Sequence, residues 1–170
     1  MAGLSGPVPL RNDVKAGVSS AAVLLLTTVH HLYGAAIYNT PWRAHIALPA
    51  MSAMLFIIGA LYVSHRNAAT RLGQAACWLA IGVIALIPVA WIGLFEGGYN
   101  HAVKDALYFS GVSAAVMRKL FPPPLYEMPD DVFFEITGVL QLPIALLAAF
   151  HTYHLWQESR RSGASFGMNS

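Results

Sequence analysis

Histidines and carboxylates stand in this chain where an apolar sequence has little other reason to hold them. His30 and His31 lie in the run AAVLLLTTVHHLYGAA, Glu96, His101 and Asp105 in FEGGYNHAVKDALYF, while His45 and Glu135 each sit near the start of a further apolar stretch. An ionisable group in hydrocarbon is costly, so such residues face the interior, pair with one another and mark function. Neutral imidazoles with carboxylates suit zinc, iron, manganese or copper, and three or four of them from different segments would hold one ion. The candidate metal ligands are therefore His30, His45, Glu96, His101 and Asp105. The same groups permit metal-free acid–base chemistry, with Glu96, Glu135 or Asp105 as the catalytic carboxylate and His30 or His101 as proton shuttle. The plainer reading of Glu96, His101, Lys104 and Asp105 is a solvated interfacial patch whose charges pair with one another.

Spacing sharpens these readings. His101 and Asp105 are four apart and share a face if that segment is helical. Glu96 joins them only if Gly97 and Gly98 let the chain turn sharply at the helix end. Adjacent residues on a helix point about 100° apart, so one of His30 and His31 is expected to face the core and the other, His31, the interface. No HExxH, repeated ExxH or eight-histidine pattern is present. A separate cluster, FHTYHLW, sets His151 and His154 three apart, with His65 at a similar depth. Histidines facing one another from two helices are axial ligands of b-type haem, which makes haem the alternative cofactor.

Four segments must position these groups. The 170 residues are 56% hydrophobic and 11% charged, against about 25% charged in an average soluble domain. Apolar stretches at roughly 15–38, 44–64, 74–97 and 131–157 each approach the length that crosses a bilayer, and in lipid each must be helical. The expected fold is all-α: a single polytopic membrane domain, 1–170, built as a four-transmembrane-helix bundle. The first stretch is expected to stay in the mature protein, since no small-residue cleavage site follows it. Arg11, Lys15, Arg66, Arg71, Arg160 and Arg161 fall on one side of such a bundle, which predicts cytoplasmic N and C termini and an inner or plasma membrane location.

The connection at about 98–130 is too long for an ordinary helix–helix loop and predicts an outer cap. Within it, residues 101–120 have an imperfect amphipathic rhythm broken at Gly111, and PPPLYEMPDD enforces extended backbone before Pro129, Asp130 and Asp131 start the last helix. Pro88 and Pro143 predict bends that leave room between helices, and Gln141 sits beside the second. Gly17, Ala21 and Gly138 predict close helix packing. The lone Cys77 excludes a disulfide framework or dithiol centre within the chain, and the net charge of +2 without basic tracts argues against nucleic acid.

The sequence thus predicts a membrane enzyme or enzyme subunit with a His/carboxylate site near the outer face, acting on a small or lipophilic substrate. The alternatives are a non-catalytic subunit of a larger membrane complex or a haem-binding membrane protein. Expected partners are membrane lipids, a lipophilic substrate, and a larger complex or further copies of the chain.

Overall fold

A computed structural model describes residues 11–167, with side chains through residue 161. The order is α1 (Asn12–Ile37), a 3-10 turn (Pro41–Ile46), α2 (Ala47–Arg66), α3 (Arg71–Ile84), a π-wound segment (Ala85–Val103), α4 (Lys104–Phe109), α5 (Ala114–Leu120) and α6 (Val132–Gly167). Among the described residues there is no strand. Among the described residues four helical stretches are long and apolar enough to cross a membrane: Asn12–Ile37, Pro41–Arg66, Arg71–Phe109 and Val132–Arg161.

The third stretch departs from expectation. It does not stop near residue 97 but continues without a break to Phe109, so the cap begins after residue 109 rather than at 98. Gly97 and Gly98 are not a turn; they lie inside the π-wound segment. Pro88 sits near the start of that segment, where it lacks an N–H and its ring disfavours the α ladder. Winding with i→i+5 bonds is found mostly as single turns in helices, often at functional sites. Here it runs through 19 residues and carries Glu96 and His101, which are five apart. In an α-helix those two side chains would diverge by about 140°; π winding returns them to one face.

Helix ends are set by local chemistry. The last turn of α1 closes with the Thr40 N–H donating to Ala35 O at 3.0 Å, with Asn39 between them in the left-handed region (φ 50°). Gly111 (φ 81°) serves α4 in the same way, with the Val112 N–H donating to Leu107 O. Thr70 caps α3 by accepting from the Gly73 N–H, and Asp131 opens α6 by accepting from the Phe134 N–H at 2.8 Å. That cap places Glu135 one turn inside α6.

α6 packs along both α1 and the π segment, and α2 packs on α1 and α3. The contact of α6 with the π segment needs glycine: a Cβ on Gly97 would stand 2.7 Å from Leu142 N, and one on Gly93 would collide with Ala145. Leu24, Ile57, Ile84, Ile92 and Ala145 are among the core side chains. Several hydroxyls within the helices are satisfied by their own backbone, with Ser20 donating to Ala16 O and Thr152 to Ala148 O, whereas the buried Thr27 hydroxyl has no partner within the chain. Leu48, Leu86, Trp91, Phe109 and Val132 instead project outward from the helices.

Candidate metal centre

Three helices meet where α1 finishes and α6 begins. His30 from α1 is fully buried, and His101 from the π segment is 2% exposed. Their Nε2 atoms stand 3.1 Å apart. Glu96 Oε1 lies 3.9 Å from His30 Nε2 and 3.7 Å from His101 Nε2. One ligand atom from each of these three residues lies within 4.8 Å of the other two.

The outward nitrogens of both rings are tied to α6. His101 Nδ1 is 2.7 Å from Glu135 Oε2, so it carries the proton and donates. His30 Nδ1 is 3.0 Å from Thr137 Oγ1, whose own hydrogen is directed to the Phe133 and Phe134 carbonyls. His30 Nδ1 is therefore also a donor. The two Nε2 atoms then face each other beside a carboxylate oxygen, and they form a hydrogen bond only when one ring also carries a proton there. With both rings neutral three acceptors would converge, and either a proton on one Nε2 or a metal cation between them satisfies the group.

Small residues make room for this arrangement. A Cβ on Gly138 would run into the His101 ring, and one on Gly34 would run into Phe134, which stacks on the His30 ring with centroids 4.1 Å apart. Gly138 thus seats a site residue, beyond the packing role its size suggests. Asn100 Nδ2 donates to Glu96 Oε2 at 2.7 Å and fixes that carboxylate from one π turn away.

Lys104 is 2% exposed, although the sequence places it among solvated interfacial charges. Its Nζ donates to Glu135 Oε1 at 2.9 Å and to Glu127 O at 2.9 Å, and stands 3.8 Å from Asp105 Oδ1. His101, Asp105 and Glu135 also approach one another closely enough to hold an ion. The Lys104 ammonium already fills the place between the two carboxylates, so the His30–Glu96–His101 group is the better cation site.

His31 differs from its expected position. Its Nε2 is 3.6 Å from Glu96 Oε1, so both neighbouring histidines reach the same carboxylate. Their 100° divergence holds, but Glu96 lies between the two directions. His45, by contrast, is exposed at the end of the 3-10 turn, where its ring nitrogen meets Trp42 O at 2.9 Å. It stands outside the cluster, because the 3-10 turn carries Arg43 inward in its place.

Arg43 is 4% exposed, lies over Tyr38, Trp42 and Phe134, and donates from Nη2 to Glu127 Oε1 at 3.1 Å. Glu127 belongs to the segment between α5 and α6, so this pair ties the cap to the α1–α2 connection. Neither Arg43, Glu127 nor Thr137 carries a sequence signal for the site beyond its residue type. Tyr126, on the same segment, keeps its phenol above the usual range because burial disfavours the phenolate.

A cavity of about 290 Å3 lies against the cluster and is bordered by Glu96, His101 and His31 together with Thr27, Arg43, Ile92 and Asn100. The distant histidines are placed otherwise: His151 Nδ1 is 3.3 Å from Ser19 Oγ, and His154 meets Phe150 edge-on. His65 borders a separate polar pocket with Arg11, Cys77 and Glu158. No family of known proteins, no characterised protein and no solved structure matches this chain.

Proposed function

We propose that the chain is an integral membrane metalloenzyme, or the metal-bearing subunit of one, whose ion is held by His30, His101 and Glu96. The observation that carries this reading is the convergence of two Nε2 atoms and one carboxylate oxygen, with edges of 3.1, 3.7 and 3.9 Å. Metal bonds of about 2.1 Å at tetrahedral angles separate neighbouring ligand atoms by about 3.4 Å, within that spread. Hydrogen bonds from the far side of each ring, to Glu135 and Thr137, supply the outer support that metal-bound histidines ordinarily have.

Charge supports the same reading. Four carboxylates of the site and its surround, Glu96, Asp105, Glu127 and Glu135, face two cations, Arg43 and Lys104. With the histidines neutral, the carboxylates exceed the two cations by two charges, which a divalent ion would balance. Two histidines and a carboxylate leave coordination positions open, as in catalytic zinc and non-haem iron centres. Glu96 and His101 border the cavity, where a small apolar molecule would meet the ion. His31, beside Glu96 and not a member of the closest group, is positioned to take or return a proton at that carboxylate. Four apolar stretches and the side chosen by Arg11, Lys15, Arg66, Arg71, Arg160 and Arg161 support a membrane bundle with cytoplasmic termini and the site near the outer face.

The test is metal content, measured by mass spectrometry on protein purified in mild detergent without a chelator or a histidine tag. About one zinc or iron ion per chain is expected, falling to background in His101→Ala and Glu96→Ala and persisting in His45→Ala. A chain free of metal after expression with each candidate ion would end the metal reading.

A further inference from the structure

We propose that the cavity beside the His30–Glu96–His101 group binds a membrane-dissolved acyl compound, held through an uncharged carbonyl oxygen at Arg43. That this ligand is a substrate rests on the metal reading above; that it binds rests on the cavity itself.

The polar anchor comes first. Arg43 borders the cavity and is 4% exposed, yet its Nε has no hydrogen-bond partner within the chain while Nη2 is committed to Glu127. A buried guanidinium N–H left unmade is expensive, so the site is built for an acceptor supplied from outside. The ring faces around Arg43, and its pairing with Glu127, fix the direction of that donor. With Glu127 already opposing its charge, and Glu96 bordering the same cavity, an anionic head would add an uncompensated buried negative charge. An ester-type carbonyl supplies the acceptor without that cost.

The apolar body follows from the walls. Trp42 of the 3-10 turn, Trp91 and Phe95 of the π segment, and Leu125 all border the cavity. Trp91 is 66% and Leu125 60% exposed, so the mouth we assign beside them is apolar. α2 packs on α3, and the 3-10 turn and the π segment both contribute residues to the cavity border. At about 290 Å3 the space holds roughly ten water-sized groups, enough for a carbonyl head and the first methylenes. The remainder of a long chain would leave through the lateral mouth into lipid.

The probe is methyl hexadecanoate with a photoreactive diazirine close to the carbonyl, added to the full chain in lipid nanodiscs. Its controls are a hydrocarbon of equal length and the free fatty acid bearing the same group. We expect the ester to crosslink within Trp91–Phe95 and Leu125–Tyr126, to be displaced by unlabelled ester, and to lose about tenfold or more of its labelling in Arg43→Gln, the loss expected for one hydrogen bond to a charged donor. Should Arg43→Gln fail to fold, Leu125→Trp narrows the mouth and is expected to cut labelling as well, and the competition in unaltered protein stands without either variant. Equal labelling by the hydrocarbon, preference for the free acid, or crosslinks scattered outside the cavity would overturn the proposal. Metal content read on the same samples separates the two claims: metal-free protein that takes up the ester removes the substrate role alone, and metal-loaded protein that ignores the ester removes the ligand alone.

Discussion

His30 and His101 direct their Nε2 atoms at each other across 3.1 Å, each ring held by a hydrogen bond from its opposite nitrogen to α6. Because α6 fixes both outward nitrogens as donors, the two Nε2 atoms are left facing each other beside Glu96, with a place between them for one cation, a proton on one ring or a metal ion. A metal ion held by both Nε2 atoms and Glu96 would bind only the folded chain, and anything that binds only the folded state stabilises it. Dialysis against a chelator is therefore expected to lower the midpoint of thermal unfolding in detergent, with recovery on adding back the ion found by mass spectrometry. Free ion at about one hundred times its dissociation constant corresponds to about 2.7 kcal/mol. An unchanged midpoint in protein verified to have lost its metal would count against the site.

Glu135 acts on the centre through His101, since it touches the ring and not the ligating nitrogen. Replacing it with Gln keeps an acceptor for the His101 N–H but removes the charge that strengthens the imidazole as a ligand. Metal affinity is expected to fall about 10- to 100-fold, as for other outer carboxylates of histidine ligands. Competition with a chromophoric chelator reads this directly. An affinity within twofold of the unaltered chain would show that Glu135 serves Lys104 alone.

The glycines of the π segment separate winding from packing. A Cβ on Gly97 would stand 2.7 Å from the backbone nitrogen of Leu142, whereas one on Gly98 meets nothing closer than 3.6 Å. Gly97→Ala is therefore expected to push the π segment off α6, moving Glu96 and His101 relative to His30 and weakening metal binding by tenfold or more. Gly98→Ala should leave affinity within about twofold, and alanine in place of glycine favours a helix by up to about 1 kcal/mol. Equal effects of the two changes would contradict the packing described here.

What could be read in the sequence divides by physics. The apolar stretches are visible because lipid-crossing length and hydropathy are local properties, and the helices at Asn12–Ile37, Pro41–Arg66 and Val132–Arg161 fall close to where the residues place them. The third stretch is not, because Glu96, Gly97, Gly98 and His101 carry the usual marks of a helix end. Nothing in their types signals that π winding continues through them. His30, Glu96, His101, Asp105 and Glu135 converge in space as their depth suggests, but α-helical spacing misplaces Glu96 relative to His101. Lys104 and Arg43 were harder still. Each looks like a surface cation by type, and each is buried only because Glu127, Glu135 and the aromatic rings of other segments come together around it.

Lys104 offers the last test, of how the cap is fastened to the helices. Its ammonium is shared between Glu135 and the Glu127 carbonyl, and it lies 2% exposed, so removing it leaves the Glu135 carboxylate with His101 as its remaining side-chain donor. Breaking a buried ion pair from one side typically costs about 3–5 kcal/mol, whereas replacing both partners with neutral groups costs much less. Lys104→Met is therefore expected to destabilise strongly, and Lys104→Met with Glu135→Gln to recover part of that loss. The coupling, measured as a double-mutant cycle on unfolding in detergent, should be about 1–3 kcal/mol. The cycle is run on metal-free protein, so that loss of the ion from the Glu135 variant does not enter. A coupling near zero would mean that Lys104 is held by the backbone carbonyl of Glu127 and that the cap is fastened chiefly through Arg43.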